Sequence, residues 1–197
     1  MKNLILLFSI LALVSCKEVQ KETQEKASED LSEQSTTAIP ETKKKPLSPH
    51  TSTMAMIGDA HIHIDYSSPG VRGRMIFGGL LAYDQVWQAG AHKATWIESN
   101  QDLIIAGQEL KAGKYGFFLI PNQKEWTVIF NTNWDQHGKD DYEQKDDAIR
   151  FKVIPQILEE STEHLEYSVK KLDENSGTIN MRWENVLISF PIIINSL

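Results

Sequence analysis

The chain has 197 residues, of which 41% are hydrophobic and 24% charged, an ordinary composition for a globular protein with room for one sizeable domain. Its formal net charge of −7 argues against nucleic acid as a main partner, because phosphate binding requires a basic face, and against docking on anionic lipid by charge alone. The single cysteine excludes a disulfide bond within the chain.

The N-terminus has the pattern of a bacterial secretion signal. Lys2 supplies a positive charge, residues 4–14 are almost wholly apolar but too few to span a bilayer comfortably, and Ser15 is small. Residues 13–16, Leu-Val-Ser-Cys, resemble the lipobox of bacterial lipoproteins. The resemblance implies a signal peptide over residues 1–15, cleavage before Cys16, and acylation of Cys16 by fatty acids such as palmitate. Two or more acyl chains anchor a protein stably, so we expect a lipoprotein held in the cell envelope through Cys16.

The residue after the cysteine bears on which membrane is used. Lys17 stands where an Asp would resemble the inner-membrane retention signal of enteric bacteria. We therefore expect the protein to be anchored in the outer membrane. The sequence does not distinguish between the periplasmic face and the surface face. In residues 16–47, the part that follows Cys16 is rich in Lys, Glu, Gln, Ser and Thr. It has too few apolar residues for their burial to offset the loss of chain entropy on folding. This segment is predicted to be a disordered tether that spans roughly 30 Å.

Residues 48–197 carry the strand signals of a single β-domain. Residues 51–57 and 60–66 flank Gly58-Asp59, a two-residue hairpin signal, and residues 71–79 are glycine-rich enough to predict a loop of specific conformation. Residues 94–98 and 103–106 are predicted strands that turn at residues 99–100.

Residues 103–131 contain three short apolar runs separated by turn signals, which predicts consecutive antiparallel strands at the centre of the domain. Residues 117–120 are apolar on both faces, as in a central strand, and Trp126 falls in phase with the next strand's apolar face. Alternation predicts further strands, and residues 156–163 are predicted to be briefly helical. The later predicted strands are residues 149–153, 165–169, 179–183 (with Trp183 in the core) and 186–194 (with Pro191 at an edge or bulge).

These elements predict an all-β fold, an antiparallel β-sandwich that is jelly-roll-like or a flattened barrel, with short helical turns. Four segments of the domain form a specific series of motifs: Tyr-Ser-x-Pro-x-Val-x-Gly-Arg-x-Ile-Phe-Gly (66–78), Val-Trp-x-x-Gly-Ala-x-x-Ala-Thr (86–95), Leu-x-Ala-Gly-x-Tyr (110–115) and Glu-Trp-Thr-Val-Ile-Phe-Asn (125–131). In this order they resemble the secreted bacterial family catalogued as domain of unknown function 2911. The resemblance runs from about residue 48 to 194 and implies the fold and envelope residence, but no activity. The sequence departs from the family pattern at Arg72, Gln88, His92 and His137.

A candidate metal site lies on the second strand. His61 and His63 are alternate residues that share one strand face, roughly 6.5–7 Å apart, and such a pair can give two imidazoles to zinc or a similar ion. A catalytic site needs a third ligand, for which His92 and His137 are the candidates. A solvent-facing polar strand side accounts for the same pattern, and we favour it.

The glycine-rich loop offers a second candidate. Arg72 and Arg74 around Gly73 could hold a carboxylate or phosphate in bidentate fashion. Alternatively, one arginine fixes the loop by donating to backbone carbonyls or to an acid such as Asp84.

Two tryptophans, Trp87 and Trp134, fall in loops, where they could stack on a ligand or pack beneath the loops. We expect a non-catalytic ligand-binding or structural module without a cofactor, its ligand a small molecule, a glycan or an envelope protein. The runner-up is a metal-dependent or other hydrolase that uses the His61/His63 face or the Arg72/Arg74 loop. The predicted ligand-binding residues are Arg72, Arg74, Trp87, His92 and Asn131.

Overall fold

A computed structural model describes residues 46–195 of the chain. The predicted signal peptide, the predicted lipidation site Cys16 and nearly all of the predicted tether lie outside these residues, so those assignments stay predictions. Within residues 46–195, no helix is long and apolar enough to cross a membrane.

Ten strands and one short 3₁₀ turn, Gln144–Asp146, make up the regular structure of the described residues. The strands are β1 (His50–Ile57), β2 (Ala60–Ser67), β3 (Thr95–Ser99), β4 (Leu103–Ile105), β5 (Gln108–Leu110), β6 (Gly113–Ile120), β7 (Trp126–Asn131), β8 (Asp147–Val153), β9 (Gln156–Lys171) and β10 (Ser176–Ile194). They form a six-stranded sheet, β1-β2-β3-β6-β7-β8, and a four-stranded sheet, β5-β4-β10-β9. Every pairing within the two sheets is antiparallel, which confirms the predicted β-sandwich.

The core lies between the inner faces of the two sheets. Alternation along each strand sends one set of side chains inward, as in β2, where Ile62 and Ile64 are fully buried while His61 and His63, which alternate with them, are half-buried. The predictions that Trp126 and Trp183 belong to the core are confirmed, since each is 1% exposed. Aromatic packing is dense around them, with the Phe77 ring centroid 4.7 Å from that of Trp126 and 6.0 Å from that of Trp183.

The prediction of a helix at residues 156–163 is wrong, because these residues form the first half of β9. β9 pairs with β10 from Gln156 to Lys171, with register shifts on either side of Glu184. The hydrogen bonds of this long ladder outweigh a weak local helical preference, as tertiary context commonly does.

The predicted meander over residues 103–131 is divided between the sheets. β4 pairs with β5 and β10, whereas β6 pairs with β3 and β7. The turn at residues 99–100 therefore carries the chain from one sheet to the other instead of closing a hairpin. Pro191 lies after Leu187, where the pairing with β9 ends, and before Ile192, where the pairing with β4 begins, so its missing N–H removes no bond from either ladder.

The connection between β2 and β3, residues 68–94, is the longest in the described domain. Its start joins the edge of β9 through backbone bonds from Val71 N to Glu163 O (2.7 Å) and from Leu165 N to Pro69 O (3.0 Å). Its later part bonds β6, with Trp87 and Leu119 exchanging two backbone hydrogen bonds of 2.8 and 2.9 Å. The connection thus touches both sheets and forms one end of the sandwich.

Candidate functional site

A cleft of about 300 Å³ opens where residues 68–94 cover the end of the sandwich. Four of the five predicted ligand-binding residues line it, two from the glycine-rich loop and two from the segment 86–95. The lining residues are Ser48, Pro69, Arg72, Arg74, Leu80, Leu81, Trp87, Gln88, Gly90, Ala91, His92 and Trp183.

The backbone around the cleft is unusual. Four of the six non-glycine residues with positive φ in residues 46–195 lie in this connection: Arg72, Asp84, Ala89 and His92, at 50° to 63°. An L-residue held in this region costs about 1–3 kcal/mol, and such positions cluster at ligand sites and switches. The surrounding structure must therefore fix this loop firmly.

Arg74 fixes one wall of the cleft. Its Nε donates to Val71 O at 3.0 Å, and its Nη2 donates to Gly70 O at 2.7 Å. Arg74 therefore fits the second hypothesis for the arginine pair, in which one arginine anchors the loop by donating to backbone carbonyls. Asp84 is not the partner of Arg74. Asp84 Oδ1 instead accepts a bond from Asn122 Nδ2 at 2.7 Å.

Arg72 is exposed. A hydrogen bond fixes its backbone, whereas its guanidinium is not fixed. Its N–H donates to Glu163 Oε1 at 2.9 Å, a bond between residues 91 positions apart. Among residues 46–195 its guanidinium makes no hydrogen bond and no ion pair. A guanidinium presents five N–H donors in a planar fork, so Arg72 brings an unused set of donors to the cleft rim.

The opposite wall, residues 87–92, is held from beneath by two hydroxyl groups. Tyr167 Oη donates to Ala89 O at 2.7 Å, and Thr95 Oγ1 donates to the same oxygen at 2.9 Å. A side chain cannot be added at Gly90, because a Cβ there would lie 2.6 Å from Thr95 Oγ1. Burial raises the pKa of the Tyr167 hydroxyl well above its ordinary value, and the nearby Tyr66 hydroxyl adds to the effect. The hydroxyl therefore stays protonated and keeps its donor role.

Two stacked indoles border the bottom of the cleft. The ring centroids of Trp87 and Trp183 lie 5.6 Å apart with 25° between their planes. Trp87 Nε1 donates to Gly90 O at 3.0 Å, but the buried Nε1 of Trp183 has no acceptor among the described residues. An unpaired buried donor is uncommon and costly, so Trp183 is held here by packing and not by a hydrogen bond of its ring.

His92 occupies the far rim with an exposed side chain. Its carbonyl accepts a bond from Gly138 N at 2.8 Å, which ties the rim to the 132–146 loop. Arg72, Arg74 and His92 are the titratable residues of the lining, and no Asp, Glu or Cys side chain lines it. The fixed charges of the lining, Arg72 and Arg74, are thus positive in a chain of net charge −7, and the nearest acid described above, Glu163, accepts the Arg72 backbone N–H beside it.

Asn131 lies elsewhere, fully buried at the end of β7. Its Nδ2 donates to Glu143 O at 3.0 Å and to Asp147 Oδ1 at 2.8 Å, and its Oδ1 accepts from Asn133 N at 2.9 Å. These bonds shape the 132–146 loop and leave Asn131 outside the cleft, so the structure does not group it with the other predicted ligand residues. Trp134 likewise lies away from the cleft, with its ring centroid 4.4 Å from Lys114 Nζ.

His61 and His63 share the outer face of the six-stranded sheet, with ring centroids 6.1 Å apart. Neither His92 nor His137 joins them, because residues 46–195 contain no group of three His, Cys, Asp or Glu side chains placed to hold one ion. A zinc site with a third ligand of these types is therefore not formed by the described part of the chain.

Sequence reasoning did not assign Trp183, Gln88 or Tyr167 to the site. Trp183 was expected in the core, where it lies, but one side of it also borders the cleft. For Trp183 and Tyr167, alternation along a strand shows that the residue faces inward and not whether the inner layer ends beside it. For Gln88, the available signal was its departure from the family pattern.

The family model described as a protein of unknown function, DUF2911, matches residues 48–192. It covers nearly all of the described domain, including both walls of the cleft. No curated protein and no solved structure matches the chain.

Proposed function

The chain belongs to the DUF2911 family, whose description names no activity, and from that premise we propose that its domain is a non-catalytic module that binds a small organic anion. We propose further that Cys16 anchors this module in the outer membrane of a bacterial envelope.

The observation that carries the first proposal is the free guanidinium of Arg72 at the rim of a cleft bordered by stacked indoles. A planar cationic fork suits a carboxylate or a phosphate, and an indole surface suits an apolar or aromatic body. Together they favour a ligand with one anionic end and one flat apolar part.

Binding is favoured over catalysis by the chemistry of the lining. Of its three titratable residues, two are arginines, which stay protonated and cannot act as a base. His92 alone could transfer a proton, and within residues 46–195 it is held through its backbone carbonyl, which accepts from Gly138 N, and not through its ring.

The binding proposal is tested with the full chain purified in detergent. Thermal unfolding is followed in the presence of aromatic carboxylates such as benzoate and indole-3-acetate, inorganic phosphate, and neutral sugars. Ligand at about one hundred times its Kd stabilises the folded state by about 2.7 kcal/mol, so we expect a clear rise in Tm with the aromatic anions.

Arg72→Gln should remove this rise, and Lys170→Gln should keep it. Lys170 is an exposed lysine of β9, so its replacement makes the same change in charge outside the cleft. Equal responses of the two variants, or stabilisation by neutral sugars alone, would refute an anion-binding cleft; the second outcome would point to a glycan ligand.

The anchoring proposal is tested in cells. With Cys16 intact, the protein should fractionate with the outer membrane, and globomycin should leave an uncleaved precursor. Cys16→Ala should release the protein from that fraction, and unchanged fractionation would contradict the lipid anchor.

A further inference from the structure

The outer face of the β1–β2 hairpin brings two methionines beside two histidines. In the register of the hairpin, Met54 lies opposite His63 and Met56 lies opposite His61. Residues directly opposite in an antiparallel pair have Cβ atoms about 4.5–5.5 Å apart, and alternate residues on a strand share a face. The four side chains therefore form a compact quadrilateral, which we call the Met–His face.

The methionines are unusually accessible. Met54 is 58% exposed and Met56 is 53% exposed, although both lie on a regular strand whose other face is half-buried to buried and ends at the core residue Ile57. The thioether groups of two large apolar side chains are thus presented to solvent side by side.

The histidine rings have a spacing that suits one shared ion. An imidazole nitrogen lies about 2.0 Å from its metal, so two rings on one ion have centroids roughly 5–6 Å apart. The observed separation of 6.1 Å needs only a small side-chain adjustment.

His63 carries a second sign of an incomplete site. Its Nε2 is buried and has no hydrogen-bond partner among residues 46–195. The edge of the ring packs against Trp96, with centroids 4.9 Å apart, which holds its orientation. A ring nitrogen left without a partner next to a fixed aromatic wall is a donor available to a metal.

The neighbouring carboxylates each lie near a basic side chain. Asp65 Oδ1 lies 2.9 Å from His50 Nε2, and Glu98 Oε2 lies 3.9 Å from Lys114 Nζ. The four side chains of the Met–His face themselves supply imidazole nitrogen and thioether sulfur. Thioether sulfur selects soft ions such as Cu(I), imidazole also binds copper, and calcium or magnesium would need oxygen donors.

We propose that Met54, Met56, His61 and His63 form a binding site for a soft monovalent cation, Cu(I) or Ag(I), on the outer face of the six-stranded sheet. This site is separate from the cleft and does not depend on the cleft's ligand.

The test uses the full chain with Cys16→Ser in every protein, so that no thiol competes for the metal. Ag(I), which needs no reductant, is titrated by calorimetry, and Cu(I) is measured by competition with a chromogenic chelator. We expect one ion per chain. The Met54→Leu/Met56→Leu variant should lower the affinity at least about tenfold, since even disturbing the surroundings of a metal ligand has that effect.

Met75→Leu is the matched control, because Met75 is 69% exposed and lies outside this face. With methyl-labelled methionine, Ag(I) should shift the NMR signals of Met54 and Met56 and leave those of Met75 and Met181 in place. Three outcomes would overturn the proposal: the parent chain does not bind the ion, the double variant binds it with unchanged affinity, or Zn(II) binds at least as tightly as Ag(I).

Discussion

The cleft and the Met–His face are built in opposite ways. The Met–His face comes from one hairpin, in which residues 54–63 set their own register across the Gly58-Asp59 turn. The cleft walls depend on partners far along the chain: Tyr167 is 78 residues from Ala89, and Glu163 is 91 residues from Arg72.

This difference has an energetic consequence. The cleft contains strained backbone at Arg72, Ala89 and His92, which only the packing beneath it can maintain. The Met–His face is a regular strand surface whose side chains add little to stability. Changes beneath the cleft should therefore cost stability, whereas changes on the Met–His face should change only what it binds.

The largest effect is expected from Trp183→Ala. Trp183 is fully packed between Trp87 and Phe77, and removing a buried tryptophan costs about 3–5 kcal/mol through lost burial and a residual cavity. Urea unfolding followed by circular dichroism measures this loss. Trp134→Ala, at a half-buried tryptophan on the other side of the six-stranded sheet, should cost clearly less; equal losses would contradict the distinction.

Tyr167→Phe should lower the free energy of unfolding by about 1–2 kcal/mol, because a buried acceptor, Ala89 O, loses one of its two hydroxyl donors. The measurement is again urea unfolding. In the control Tyr115→Phe, an exposed hydroxyl that donates to Lys111 O at 3.1 Å is removed, and water can replace it. If Tyr115→Phe lowered the free energy of unfolding as much as Tyr167→Phe, the buried hydroxyl beneath the cleft would contribute no more to stability than an exposed one.

Alkaline pH should weaken the same support. The pKa of Tyr167 is raised in the folded protein by burial, so above pH 10 the unfolded chain releases the proton first and the free energy of unfolding falls. For this one group the fall between pH 10 and 11 is about 1 kcal/mol. Stability curves of the parent and Tyr167→Phe should converge over this interval. Parallel curves would mean that the hydroxyl ionises equally in both states.

The smallest effect is expected on the Met–His face. Met54→Leu/Met56→Leu keeps apolar side chains of similar size on exposed positions, so the free energy of unfolding should change by no more than about 0.5 kcal/mol. Thermal and urea unfolding without added metal provide the measurement. A loss above about 2 kcal/mol would place these methionines in the packing and remove the distinction between the two regions.

Much of the β-architecture could be predicted from the sequence. The hairpin at Gly58-Asp59, the central strand at residues 117–120 (buried through residue 119) and the core positions of Trp126 and Trp183 follow from turn chemistry and alternation, which act over a few residues. Candidate residues for the cleft could be identified one by one, because a guanidinium or an indole in a loop has a binding chemistry of its own.

The sequence by itself determined which residues face inward and where the hairpin turns, because a period of two and a glycine turn are local properties. Only the tertiary structure decided that residues 156–163 extend a strand, that β4 leaves the sheet of β6, and that Arg72 and Trp183 meet at one cleft. Each of these outcomes depends on hydrogen bonds and packing between segments tens of residues apart, whose free energy exceeds the local preferences that a sequence pattern records.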